Sequence, residues 1–252
     1  MNVAVCVKRV PATDTRIRIA PDGRSLDLQG VEFVLNPYDE FAVEEGLRLR
    51  EKAGSGEVVV LTLGPTEAQK ELRTCLAMGA DRAVLLKDDA LAARDGFAIA
   101  SILAGALKGV SFDLLLFGKQ AVDSDGAQVG GMTATLLGLP CIGEVVKVEV
   151  LEGKRLRAER EVEGGREVVE ATLPCALTAQ KGLNEPRYAS LKGIMAAKKK
   201  PIEEPPLTQV EPRLVVLEMT LPPPRPPGRI VGKGAAAVPE LIRLLREEAK
   251  VL

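Results

Sequence analysis

The stretch Leu114-Leu115-Leu116-Phe117-Gly118-Lys119-Gln120-Ala121-Val122-Asp123-Ser124-Asp125-Gly126-Ala127-Gln128-Val129-Gly130-Gly131 decides the fold class. Its apolar start has the length of a buried strand, a loop of small and polar residues follows, and the chain then leads into a helix. A strand, loop and helix in this order belong to an open parallel sheet covered by helices on both faces, so the unit should recur. Apolar runs of the same kind stand at Val3 to Val7, Val58 to Leu63, Ala83 to Leu86 and Ala176 to Ala179. Helix-period segments lie between them. Pro37-Tyr38-Asp39-Glu40 opens a helix leading into Ala42 to Lys52, and Gly54-Ser55-Gly56 ends it. A second helix opens at Thr66 or Glu67 and closes at Gly79, and a third runs from about Arg94 to Lys108. The predicted fold is α/β, with a Rossmann-like parallel sheet.

Two regions break the rhythm. From Glu144 to Thr172, alternation such as Val145-Val146-Lys147-Val148-Glu149-Val150, split by Glu152-Gly153 and Gly164-Gly165, predicts an antiparallel ribbon at a sheet edge. After Lys200, nine of the 17 prolines fall within residues 201–229, which forbids helix and any central strand there. A last helix is expected from Val238 to Lys250. Residues 1–200 therefore read as an α/β domain and residues 201–252 as an arm with a terminal helix. A flexible linker and an arm that grips another chain fit the proline-rich stretch equally well.

Composition removes several chemistries. The 34 basic and 35 acidic side chains leave a net charge of −1, so no cationic field exists to grip nucleic acid or an anionic membrane. Histidine is absent, and Cys6, Cys75, Cys141 and Cys175 form no CxxC pair. Zinc clusters, Ser-His-Asp triads and Cys-His dyads are thereby excluded, and neither catalytic nor metal-ligating residues are expected. The chain enters its first strand without a basic leader or long apolar segment, so a cytoplasmic protein with reduced thiols is expected.

Known phosphate-binding patterns are missing. Gly54-Ser55-Gly56 precedes a strand where a dinucleotide fingerprint would follow one, and Gly228 to Gly234 has neither P-loop spacing nor a Ser/Thr after Lys233. The loop Gly118, Lys119, Gln120, Ala121, Val122, Asp123, Ser124, Asp125, Gly126, Ala127, Gln128 and Val129 is the better candidate by position. Ligands of open α/β sheets bind beyond the carboxyl ends of the strands, where helix N-termini present free amides. An Asp-rich capping turn is the competing reading. Cys6 and Leu63, at the ends of the first two strands, should lie near this loop with Asn36, Pro37, Tyr38 and Asp39 alongside, as a pocket for an adenine ring and ribose. Asn36 as a helix cap and Tyr38 as a packing residue are the alternatives. Further on, Glu185-Pro186 sets up a helix start, Leu191, Ile194 and Met195 form an apolar stripe, and Lys198-Lys199-Lys200 close it. That stripe is either core or an exposed tip suited to transient docking.

At these residues the sequence resembles the beta subunit of electron-transfer flavoproteins. The blocks that carry the resemblance are Val7-Lys8-Arg9-Val10, Asn36-Pro37-Tyr38-Asp39, Ala77-Met78-Gly79-Ala80-Asp81, Gly118-Lys119-Gln120-Ala121-Val122-Asp123, Glu161-Val162-Glu163-Gly164-Gly165 and Leu183-Asn184-Glu185-Pro186-Arg187-Tyr188-Ala189. The resemblance implies an adenine nucleotide alpha hydrolase-like fold without hydrolase activity. It implies pairing with a larger alpha subunit that holds most of a redox-active FAD, and AMP bound at Cys6, Asn36 to Asp39, Leu63 and Gly118 to Val129. It also implies an electron carrier without catalytic residues, serving acyl-CoA and related flavin dehydrogenases and, through the complex, a quinone oxidoreductase. Arg187, Tyr188, Leu191, Ile194 and Met195 would form the docking loop, and the C-terminal arm would reach around the alpha subunit.

Within that family some members hold a second FAD in place of AMP and bifurcate electrons. Asp125-Gly126-Ala127-Gln128-Val129-Gly130 leans toward that branch, whereas Arg187-Tyr188-Ala189-Ser190-Leu191 and Lys198-Lys199-Lys200 look like the AMP-binding branch, which is the one expected here. A stand-alone nucleotide-sensing module is a further alternative. An ATP pyrophosphatase on the same sheet would need a phosphate loop after the first strand, and Lys8-Arg9-Val10-Pro11-Ala12 is nothing like one.

Overall fold

The computed structural model describes residues 1–225 and 227–252; Pro226, one of the prolines counted in the arm, lies outside the described residues. In chain order the strands are β1 (Val3–Cys6), β2 (Arg9–Pro11), β3 (Phe33–Leu35), β4 (Val58–Gly64), β5 (Arg82–Lys87), β6 (Leu114–Gly118), β7 (Cys141–Leu151), β8 (Arg155–Val162), β9 (Gly165–Thr172), β10 (Cys175–Ala179) and β11 (Ile202–Glu203). The α-helices are α1 (Pro37–Ala53), α2 (Gln69–Met78), α3 (Gly96–Leu107), α4 (Val129–Leu136), α5 (Leu191–Ala197) and α6 (Val238–Glu247). The chain divides into two units, Met1–Glu218 and Met219–Leu252.

The first unit is built on a sheet ordered β11-β5-β4-β1-β6-β10-β7-β8-β9. Its strands from β11 to β7 are parallel, and β8 and β9 continue it as an antiparallel ribbon at the edge. Strands β1, β4 and β6 are apolar, with Thr62 of β4 the exception among them, because both faces are covered. Val3, Val5, Val58, Val60, Leu114 and Leu116 point into the layer that holds α1 and α2, while Ala4, Cys6, Leu61, Leu63, Leu115 and Phe117 point toward α3 and α4. The strand order reverses direction between β1 and β6, so a crevice opens outside their carboxyl ends.

Two segments differ from expectation, and a third adds an edge strand that the expectation allowed. The stretch between the first two predicted strands carries the short hairpin β2–β3, paired Arg9 to Leu35 and Pro11 to Phe33. Glu185-Pro186 does not start a helix: α5 begins at Leu191, where the Ser190 hydroxyl accepts from Gly193 N–H at 3.0 Å as an N-cap. The proline-rich stretch opens with strand β11, which pairs with β5 at an edge, where prolines on either side cost no ladder bond. In the second unit α6 is an amphipathic helix whose Arg243 bridges Glu240 and Glu247.

Candidate functional site

The crevice between β1 and β6 is closed by side chains from the start of α1. Asp39 is buried, and its carboxylate accepts from Lys8 N–H at 2.7 Å, just past β1, and from Gly118 N–H at 3.0 Å, at the end of β6. One carboxylate thus ties the two strand ends to the helix. Burial pushes its pKa up to about 7, although its bonds to Asn36, Lys8 and Gly118 pull the other way. The crossing leaves no room for a side chain at position 118, where a Cβ would fall 2.4 Å from Asp39 Oδ1 and 2.7 Å from the Tyr38 backbone.

Asn36, expected as a ligand contact or a helix cap, makes no cap bond with its side chain. Instead Nδ2 donates to the Gln120 carbonyl at 2.9 Å, and Oδ1 accepts from Val122 N–H at 3.1 Å, so it anchors the first half of the loop as a backbone partner would. Lys8 Nζ then reaches both carboxylate oxygens of Asp123 at 2.7 Å. Gln120 Nε2 donates to Asp125 Oδ1 at 2.7 Å, and Lys119 lies 5.9 Å from the centre of the half-buried Tyr38 ring. From Asp123 to Gln128 the loop is exposed. Asp125 and Ala127 sit there at φ 48° and 49°, in the left-handed region that costs a residue with a Cβ about 1 to 2 kcal/mol.

The structure brings Asn36, Tyr38 and Asp39 against Gly118, Gln120 and Val122, with Pro37 opening α1 between them, and Lys8 joins them. Cys6 and Leu63 lie on the opposite face of the sheet from α1, buried among Leu61, Phe117 and Leu86, and burial pushes the Cys6 thiol up. Val129 packs on that same face, so the loop passes over the sheet edge from one layer to the other. Gln128 precedes α4 and packs its amide against Gly96 of α3. A cavity of about 250 Å³ lies elsewhere, lined by Leu61, Val84, Ile102 and residues 205–208.

A second cluster is built on the other half of α1. Arg187 Nε and Nη2 bind the buried Glu44 carboxylate at 2.8 and 3.0 Å, and Nη1 and Nη2 bind Glu51 at 2.6 and 3.0 Å. The guanidinium holds the Glu51 carboxyl below the usual carboxylate range. Asn184 Nδ2 adds bonds to the Phe41 carbonyl at 3.0 Å and to Glu45 at 2.9 Å. The residues on either side of Glu185-Pro186 are therefore spent on α1, and Arg187, expected at a docking surface, serves as the pin beneath it. Beyond the pin, α5 lies on α2 so closely that a Cβ on Gly193 would fall 2.3 Å from the Ala77 carbonyl oxygen. Arg73 donates to the carbonyls of Ala197 and Lys200. What this scaffold presents outward is apolar: Tyr188 is 98% exposed, Leu191 82%, Met195 59% and Ile194 41%. The core reading of that stripe is thereby overturned.

A family model described as the electron transfer flavoprotein domain matches residues 25–210. The chain belongs to the electron transfer flavoprotein family, among its beta subunits. It is 45% identical over 261 residues to the electron transfer flavoprotein subunit beta of Bacillus subtilis, with both chains covered in full. It is 38% identical over 253 residues to the subunit beta of Sus scrofa, covering 100% of this chain and 99% of that one. A third relative, the caffeyl-CoA reductase-Etf complex subunit CarD of Acetobacterium woodii, is 43% identical over 203 residues, 80% of this chain and 77% of the relative. As a beta subunit of an electron carrier, the chain implies an alpha-subunit partner. Among the described residues no helix is long and apolar enough to cross a membrane.

Sequence reasoning missed Lys8, Glu44, Glu51, Asn184 and Arg73 as parts of the two sites. Lys8 and Asn184 did lie inside quoted blocks, but their partners are 115 and 139 residues away, beyond any local pattern.

Proposed function

We propose that this beta subunit docks an electron-transfer flavoprotein onto acyl-CoA and related flavin dehydrogenases and holds AMP as a structural ligand. In the heterodimer the alpha subunit holds most of the redox-active FAD, residues 201–252 embrace that subunit, and electrons pass on through a quinone oxidoreductase. The beta subunit itself supplies no catalytic side chain, and the complex works in the cytoplasm. The observation that carries the docking role is the exposed apolar group of Tyr188, Leu191, Ile194 and Met195 on a rigidly fastened α5. Large apolar side chains held out by a stiff support suit a partner's pocket, and the exposed Lys198 and Lys199 beside them suit an acidic rim.

AMP is supported by the form of the crevice. The first-turn amides of α4 have no partner within the helix, which is the kind of helix start that receives an anion. The strained Asp125 and Ala127 sit in the same loop, as residues shaped around a ligand do. Asn36, Tyr38 and Gln120 stand at its rim, while Cys6 and Leu63 are packed in the layer on the far side of the sheet from α1. Acid extraction of the heterodimer should release AMP equimolar with this chain. Release of FAD in its place would replace this reading with the electron-bifurcating one.

A further inference from the structure

We infer that Lys8 is a positioning residue for the nucleotide phosphate that acts through Asp123, by cancelling a carboxylate that would otherwise repel the anion. This inference rests on the proposed AMP site. Lys8 is held on both sides by its backbone: its N–H donates to Asp39, and its carbonyl accepts from Asn36 N–H at 2.9 Å. The side chain therefore starts from a fixed point at the end of β1 and crosses the crevice to take both oxygens of Asp123 at 2.7 Å. Lys8 and Asp123 side chains are 33% and 23% exposed, and an ion pair at that depth adds little to folding stability. Its consequence lies in the charge of the loop.

Four carboxylates surround the crevice, and each has a partner. Asp39 takes two backbone amides, Asp125 takes the Gln120 amide, Glu144 lies 3.7 Å from Lys119, and Asp123 takes Lys8. Asp123 and Asp125 both precede the helix start that would receive the phosphate, where each would weaken the attraction of the free amides for an anion. Asp125 is turned aside by a neutral group. Of these two, Asp123 is the one paired with a full positive charge, and the geometry makes Lys8 the source of it. The two oxygens of Asp123 take two of the three Nζ donors, so a phosphate could engage at most the third, and the double variant of Lys8 and Asp123 separates that contact from charge cancellation.

The test uses the complete heterodimer stripped of nucleotide, with AMP and adenosine titrated calorimetrically into wild type, Lys8→Met, Asp123→Asn and the double variant. Lys8→Met should weaken AMP by about tenfold, equivalent to about 1.4 kcal/mol at 25 °C. Adenosine, which carries no phosphate, should bind wild type and Lys8→Met alike, and that match also reports that the pocket is intact. The loss should shrink at high salt, as an unscreened repulsion does. Adding Asp123→Asn to Lys8→Met should restore AMP affinity to within about threefold of wild type. A double variant as weak as Lys8→Met would overturn the inference in favour of direct phosphate contact, and equal losses for AMP and adenosine would overturn it in favour of a purely structural role. Failure of wild type to bind AMP at all would instead remove the proposed nucleotide site.

Discussion

Replacing Leu191 by alanine separates docking from folding. In the structure Leu191 is 82% exposed at the first position of α5, so about a fifth of its side chain is covered. Full burial of a leucine is worth about 1.5 to 3 kcal/mol, so truncating this one should cost folding about 0.3 to 0.6 kcal/mol. Alanine is also the better helix former, which trims the loss further. In a chain of this size the melting temperature should fall by no more than about 2 °C. A partner pocket that closes over the side chain would recover the whole transfer energy. Losing it should lower the apparent second-order rate of dehydrogenase-linked reduction by about 10- to 150-fold. The assay is flavin reduction by an acyl-CoA dehydrogenase at several carrier concentrations, run beside thermal unfolding of the same heterodimer. Slower reduction that recovers at high carrier concentration, with unfolding unchanged, is expected. An unchanged rate would refute the docking role of α5, and a melting temperature lowered by more than about 5 °C would refute the account of Leu191 as a surface residue.

Arg187→Ala should leave Glu44 buried without its guanidinium and release the segment ahead of α5, at a cost of about 2 to 3 kcal/mol in denaturant titration. A change below about 0.5 kcal/mol would show that the four side-chain bonds to α1 are ornamental. Asp39 sets a pH dependence whose sign follows from its raised pKa. Between 3.8 and about 7 the folded protein keeps a proton that the unfolded chain has released, so this residue's contribution to stability is greatest at low pH and falls as pH rises through that window. Asp39→Asn should flatten that part of the profile. It should also lower stability by about 1 to 3 kcal/mol, because one of the two amides now at the carboxylate would face an NH₂ group. Urea unfolding of wild type and variant at pH 5 and pH 8 gives both quantities, and equal pH slopes would refute the assignment.

The parallel core was legible because strands buried on both faces must be apolar at every position, and Val3 to Cys6 or Leu114 to Phe117 could hardly be anything else. The hairpin β2–β3 was not, since its strands are three residues each and stand 21 residues apart, and the Asp22-Gly23 turn between them closes only the short bridge of Ile19 to Leu26. Glu185-Pro186 carried a good local helix signal that tertiary bonds overrode: Asn184 and Arg187 gain more from the carboxylates of α1 than a helical turn would return. The same limit hid how Asn36 works. A residue before Pro37 reads as a cap, and only the fold places the loop at Gln120 and Val122 where the Asn36 amide prefers it.

Helix α1 carries both sites at different heights. Asn36 and Asp39, at its start, hold the loop after β6, while Glu44, Glu45 and Glu51, two to four turns on, hold the segment that presents Leu191. A helix of 17 residues is about 25 Å long, and the two groups of contacts share no side chain. The residues around Leu191 can therefore change without disturbing the Asn36 end of the rod. Damage to the rod itself would fell both at once.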